Sequence, residues 1–258
     1  MEYLSATIIT RNEERNLERC LNALKGVADE IIVVDSYSTD RTTEICKRYG
    51  CKVTSREFQG FGSQRQYATG LTTHSYVLSI DADEVIDDTL RQQIIKLKEQ
   101  GFEHRVYSIT VRNYFCGQPI NHSGFEQTRR VRLFNKRYAN WNMRSVSDSV
   151  DIPGGVEPQP LPGSIHHYRC ASIEEFIKKE NRIAALEAKM LANSCRSISP
   201  VTPLFMASLQ YIKAQLLHHA WLDGAHGFAI AGRRAKTTFE AYRMAIHLLK
   251  ENKQLSKS

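Results

Sequence analysis

The chain has 258 residues, 41% hydrophobic and 24% charged, which suits a sizeable core in one large domain or a domain with an appendage. That balance excludes a disordered chain and a polytopic membrane protein, and no uninterrupted apolar run approaches the roughly 18 residues needed to cross a bilayer. The net charge of +7 is uneven, because residues 171–258 hold 13 Lys and Arg against 7 Asp and Glu. Such a basic segment can face nucleic acid, anionic lipid or a phosphorylated acceptor. No nucleic-acid motif accompanies it, so nucleic acid is not an expected partner and an anionic membrane surface is a candidate one.

The chain enters its first apolar run, Leu4–Ile9, without a basic and long apolar leader, so no secretory signal is expected. The expected location is cytoplasmic, with the inner face of the cytoplasmic membrane as a candidate docking place. Six cysteines, at positions 20, 46, 51, 116, 170 and 195, show no Cys-x-x-Cys pair and no zinc-like spacing. They read as small buried residues in a reducing compartment.

From residue 3 to 111 strand and helix patterns alternate. Apolar runs stand at Leu4–Ile9, Glu30–Asp35, Cys51–Thr54, Tyr76–Ile80 and Val106–Val111, with helical segments between them. This is the pattern of a doubly wound, mostly parallel α/β sheet, whose ligands bind beyond the carboxyl ends of the strands. Asn12 with Glu14 and Arg15 is expected to open a helix carrying Leu17, Cys20, Leu21 and Leu24. Ser38-Thr39-Asp40 is expected to cap the next, and Asp87 and Asp88 to start a third.

Residues 112–170 are richer in Gly, Pro, Asn and Arg. Pro153-Gly154-Gly155, Pro158, Pro160 and Pro162-Gly163 mark loops there, and the region reads as edge strands and loops that complete the sheet and its cleft. From Ser172 the period is helical. Ile173, Phe176, Ile177, Ile183, Ala184 and Met190 make one apolar stripe, Leu209, Ile212, Leu216 and Leu217 a second, and Phe239, Tyr242, Ile246 and Leu249 a third. The expected division is therefore 1–111 for a nucleotide-binding half, 112–170 for the acceptor-side half of the same domain, and 171–258 for a helical extension that is a candidate for membrane association.

The chemistry concentrates at strand ends. Asp81-Ala82-Asp83 leaves the run Tyr76–Ile80, and two carboxylates one residue apart at the end of a buried strand can hold a hard divalent cation and a diphosphate. Short acidic tripeptides also occur as solvated turns, so the reading rests on its company. Thr10-Arg11-Asn12-Glu13-Glu14 leaves the first strand, Val33-Val34-Asp35-Ser36-Tyr37-Ser38-Thr39-Asp40 the second, and Gly60-Phe61-Gly62-Ser63-Gln64-Arg65-Gln66-Tyr67-Ala68 opens the helix ahead of Asp81.

In this order the segments resemble the family 2 glycosyltransferases, which have the GT-A fold, and more narrowly the bacterial lipopolysaccharide core enzymes of β-glucosyltransferase type. The resemblance covers residues 3 to about 170, including Arg132-Leu133-Phe134 and His166-His167-Tyr168, and is looser beyond, with Trp221-Leu222-Asp223-Gly224 the best match. It implies a nucleotide-sugar donor contacted by Thr10, Asn12, Glu13, Asp35, Arg65 and Asp81, with Asp35 on the nucleobase and Arg65 on the diphosphate. It implies Mg or Mn on Asp83 and Asp81, since carboxylate and phosphate oxygens select hard cations. The expected reaction is an inverting transfer of a hexosyl, here glucosyl, unit from a UDP-sugar to a lipopolysaccharide inner-core or other lipid-linked saccharide.

Inversion needs a base for the acceptor hydroxyl. The sequence departs from the family pattern there: Thr128 stands where an Asp is usual, and Val146-Ser147-Asp148 replaces Val-His-Glu. Asp148 and Glu126 are the two candidates, with a solvated loop residue as the other reading of Asp148. Arg129, Arg130 and Arg132 suit an anionic acceptor or a solvated strand face. His166 and His167 suit metal, diphosphate or structural hydrogen bonds, and Trp221 an interface or the core. A nicotinamide oxidoreductase is disfavoured because Gly-x-Gly-x-x-Gly is missing after the first strand. A non-catalytic nucleotide-sugar- or partner-binding protein on the same fold is the alternative.

Overall fold

The structure, a computed structural model, describes residues 2–125, 127–142 and 149–255. The described chain divides into two compact units, Met1–Arg112 with Gln127–His167, and Asn113–Glu126 with Tyr168–Ser258.

The first unit is built on β1 (Leu4–Thr10), β2 (Glu30–Asp35), β3 (Lys52–Ser55), β4 (Tyr76–Asp81), β5 (Glu84–Ile86), β6 (Val106–Phe115), β8 (Thr128–Asn135) and β11 (Gln159–Cys170). Their order across the sheet is β3-β2-β1-β4-β8-β6-β11-β5. The pairs β3-β2, β2-β1 and β1-β4 are parallel, whereas β8 runs antiparallel to both β4 and β6. β1 is buried along its length except at Ile9, as a central strand covered on both faces must be. Its register aligns Thr10 with Asp35 and Ile9 with Asp81, so the carboxyl ends of β2, β1 and β4 lie side by side.

Helices α1 (Leu17–Leu24), α2 (Thr42–Arg48), α3 (Phe61–Gly70) and α4 (Asp88–Gln100) cover the sheet. Leu17, Cys20, Leu21 and Leu24 are all fully buried, the apolar stripe expected from their spacing. Asn12, however, does not open α1, whose cap position is Asn16. Asn12 sits at φ +56° and turns to the other loop, accepting the Thr39 N–H at 2.8 Å while its own N–H donates to Ser38 Oγ at 2.8 Å. Asp87 caps α4 as expected, accepting the Leu90 N–H at 2.7 Å.

Two further expectations are corrected. β8 and β11 are interior strands, each with a neighbour on both sides, rather than edge strands. Pro160, Pro162 and Gly163 lie inside β11 instead of in a loop. Gly163, at φ +90°, is needed because a Cβ there would stand 2.3 Å from the Leu90 nitrogen at the start of α4. Short β9 (Asn140–Trp141) and β10 (Val150–Asp151) form a separate ribbon.

The second unit holds β7 (Gln118–Ile120) and helices α5 (Ile173–Ser194), α6 (Thr202–Leu216) and α7 (Gly224–Leu255). Ser172 caps α5, and Glu175 reaches back to the Ala171 N–H. The seams between helices use small residues. Ala184 and Ala188 of α5, Ala207 and Ala214 of α6, and Ala231, Ala241 and Ala245 of α7 are buried, whereas Ile173, Ile177, Ile183, Leu209, Ile212, Leu216 and Leu217 are exposed and Phe239, Tyr242, Ile246 and Leu249 only half-buried. The three large-residue stripes therefore are not the packed faces, except at Phe176 and Ala184. Gly227 permits the turn before α7, since a Cβ would meet the Ala220 carbonyl oxygen at 1.7 Å. Asp223 latches that turn by accepting from Asn121 N, His122 N and Ser123 Oγ at 3.2, 3.1 and 2.6 Å. No helix among the described residues is long and apolar enough to cross a membrane.

Candidate functional site

The carboxyl end of β4 carries a buried ionic cluster. Arg65, from the first turns of α3, donates one Nη to both oxygens of Asp81, at 2.7 and 2.8 Å. Arg132, from β8 and only 3% exposed, donates to Glu84 Oε1 at 2.7 Å and lies 3.7 Å from Asp81 Oδ2. Glu84, at the start of β5, uses its other oxygen to accept the Asp81 backbone N–H at 2.9 Å. The β5–β11 register brings His167 opposite Glu84. His167 Nε2 then stands 3.3 Å from Asp83 Oδ1, and its Nδ1 3.7 Å from Glu84 Oε1.

Burial penalises the Asp81 carboxylate, but the Arg65 and Arg132 guanidinium groups outweigh it and hold its pKa well below the usual carboxylate range. Arg132 shows the converse: burial disfavours its charge, and Glu84, Asp81 and Asp83 raise its pKa nonetheless. Arg65 thus pairs with Asp81 and Arg132 with Glu84, while Asp83 lies against His167. Trp141 of β9 roofs both arginines, with guanidinium carbons 4.9 and 6.0 Å from its ring. Nε and Nη1 of Arg132 are buried and have no hydrogen-bond partner among the described residues.

A second cluster forms where the loops after β1 and β2 meet. Asp35 is 1% exposed, and Ser38 donates to its two oxygens, at 2.9 Å from N–H and 2.5 Å from the hydroxyl. Glu13 N–H donates to Thr42 Oγ1 at 2.9 Å, and Asp40 accepts from the Glu14 and Thr42 N–H groups at 3.2 and 3.0 Å. Burial works against the Asp40 charge, but these bonds and the Thr42 hydroxyl lower its pKa. The Asn12 bonds to Ser38 and Thr39 complete the clamp. Thr10 Oγ1 and Gln64 Oε1 are buried without a partner among the described residues, and Gln64 Nε2 donates to Ser36 Oγ at 3.0 Å. Exposed Tyr37, at φ +56°, stands in this loop.

The residues anticipated from sequence are thus distributed as follows. Thr10, Asn12, Glu13 and Asp35 gather at the ends of β1 and β2, and Arg65, Asp81 and Asp83 at the end of β4. Arg65 donates a single Nη to Asp81, and buried Arg132 serves the same cluster rather than an open acceptor surface; Arg129 and Arg130 are exposed. His166 stands apart from His167, 3.8 Å from Asp87, and burial lowers its pKa. Both base candidates, Glu126 and Asp148, lie outside the described residues. Glu84 and Trp141 were missed. Glu84 follows Asp83 directly, so only its complete burial, invisible in an acidic tetrapeptide, sets it apart.

Among the described residues no group of three or more His, Cys, Asp and Glu side chains is gathered as a metal site. Asp83 and His167 nevertheless suit one ion: their 3.3 Å separation is near the roughly 3 Å between adjacent donors on a cation bound at about 2.1 Å. Their oxygen and nitrogen suit Mn or Mg completed by phosphate oxygens, with the nitrogen favouring Mn.

Comparison with known proteins places this geometry in a family. The model of glycosyl transferase family 2 matches residues 5–153. An uncharacterised glycosyltransferase of Rickettsia typhi is 30% identical over 237 residues, 88% of this chain and 81% of its own. The lipopolysaccharide core biosynthesis glycosyltransferase LpsC of Rhizobium meliloti is 26% identical over 230 residues, 87% and 85% of the two chains. Among solved structures, glucosyl-3-phosphoglycerate synthase from Mycobacterium tuberculosis, crystallised with Mn2+, UDP and glucosyl-3-phosphoglycerate, is 23% identical with a TM-score of 0.36. That alignment spans 44% of each chain, so this chain covers under half of that structure. The chain belongs to glycosyl transferase family 2.

Proposed function

We propose, from membership of that family and the cluster at the end of β4, that the chain transfers a hexosyl unit from a nucleoside-diphosphate sugar, with inversion, to a lipid-linked saccharide. The observation that carries this reading is the cluster itself. Asp81 is held by Arg65 and Arg132, and next to it Asp83 and His167 set an oxygen and a nitrogen donor 3.3 Å apart. Asp83 and His167 would hold a divalent ion, with Asp81 and Glu84 fixing their positions. When bound, the ion supplies neutralisation of charge on the departing diphosphate. The chain's own part is to keep that donor site dry and rigid: Trp141 covers the arginines, and Arg65, bonded to both oxygens of Asp81, fixes the strand end that Asp83 follows.

The clamped loops supply the nucleoside end. Asn12, Glu13 and Thr10 edge the cleft, and Asp35, whose oxygens are both engaged by Ser38, sets the loop that a uracil base would meet. A glucosyl group and UDP are the proposed donor parts. The lipopolysaccharide inner core is the proposed acceptor, supported by the similarity to LpsC along most of both chains. Asp148 or Glu126 is proposed as the base, and Arg129 and Arg130 as the acceptor-side cations.

Sugar release and transfer from UDP-glucose, measured with and without lipopolysaccharide core acceptor in the presence of Mn, test the reading. Acceptor-stimulated turnover is expected. Tight nucleotide-sugar binding without any turnover would identify the chain as a non-catalytic binding protein instead.

A further inference from the structure

Helix α6 packs by its small residues and turns its large ones outward. Val201, Leu204, Phe205, Leu209, Ile212, Leu216 and Leu217 are exposed, Phe205 to 66%, and the following turn adds Trp221 at 55% and Leu222. Exposed apolar surface concentrated on one helix, rather than scattered singly, marks an interaction face. Its electrostatic setting names the partner. Between Glu187 and Asp223 there is no Asp or Glu, while Lys189, Arg196 and Lys213 are present and exposed. Asp223 itself is spent on Asn121, His122 and Ser123. A groove of about 510 Å³ between α6 and α7 continues the surface, lined by Leu204, Tyr211, Ile212 and Phe239 together with Lys236.

We propose that the outward face of α6 and the Trp221 turn dock the chain on an anionic lipid surface. Leu, Phe, Ile and Trp side chains enter the boundary between headgroups and acyl chains, and Lys189, Arg196 and Lys213, in a stretch of chain without Asp or Glu, meet lipid phosphates, while Glu240 of α7 is engaged by Arg233 and Lys236. The inference stands on exposure and charge and is independent of the transfer reaction.

The test uses the full chain with phosphatidylcholine vesicles, with and without phosphatidylglycerol. Flotation with the anionic vesicles, weakened by salt, is expected, together with a blue shift of tryptophan emission that Trp221→Phe removes, since Trp141 is already buried. Phe205→Glu with Leu209→Glu, both on the exposed face, should weaken partition at least about tenfold with an unchanged circular dichroism spectrum. Asp83→Ala should bind vesicles as the parent does, whatever its activity. Absence of binding to the anionic vesicles, or full binding by the double variant, overturns the proposal. A dimer in size-exclusion chromatography that the double variant dissociates, without vesicle binding, would assign the face to a second copy and overturn it equally.

Discussion

A carboxylate gripped by two guanidinium groups resists protonation, and Asp81 is such a carboxylate. Its folded pKa is depressed, so the stability it contributes is fully present above the ordinary Asp value near 3.8 and is lost as pH falls through the lower folded value. Chemical denaturation of Asp81→Asn beside the parent should therefore show a destabilisation that is constant from neutral pH to about pH 5 and shrinks below about pH 4. An unchanging difference down to the acid limit would contradict the assignment. Arg132 bears on the same cluster, and because removing one member of a buried pair strands the other, Arg132→Met should cost about 3–5 kcal/mol in the same assay. Glu84→Gln with Arg132→Met should recover part of that loss; strict additivity would show that the two do not act together. Asp148 is proposed to take the acceptor proton, so Asp148→Asn should lower turnover by about two to four orders of magnitude with donor binding intact. Should Glu126→Gln be the impaired variant instead, the base assignment passes to Glu126.

At the scale of elements, the parallel strands β1, β2 and β4 were legible because burial on both faces leaves an uninterrupted apolar run. β2 begins and ends at Glu30 and Asp35 as its sequence indicates, and α1 buries the four residues its spacing selects. The Asp-x-Asp and its neighbouring loops were legible for the same reason, since a polar cluster at the exit of such a run stands out. The ion pairs were not. Arg65 and Arg132 meet Asp81 from 16 residues before it and 51 after it, and no local pattern encodes a partner at that range. Nor did β11 announce itself, because Pro and Gly mark loops unless a close approach such as that of Gly163 to α4 demands them. Gly163→Ala combines an unfavourable φ with a contact no backbone nitrogen can yield, and should destabilise by about 2 kcal/mol or more in thermal or urea unfolding. A loss below about 0.5 kcal/mol would show that the strand relaxes away from α4 at little cost. Helix α6 misled periodicity in a different way: its alanines pack while Leu204, Leu209 and Leu216 face out, the reverse of a core stripe.

For the whole molecule, the family fixes the reaction class, while the sugar and acceptor rest on the proposal. Asp83 and His167, aligned by the Asp81 cluster, are proposed to bind the donor diphosphate through a divalent ion. Calorimetric titration of the full chain with UDP, with and without Mn2+, tests it directly when the parent is compared with Asp83→Ala. Binding is expected to require Mn2+ and to fall at least about a hundredfold in Asp83→Ala, with the folded spectrum retained. UDP binding of equal affinity without the metal, or undiminished in Asp83→Ala, would contradict it.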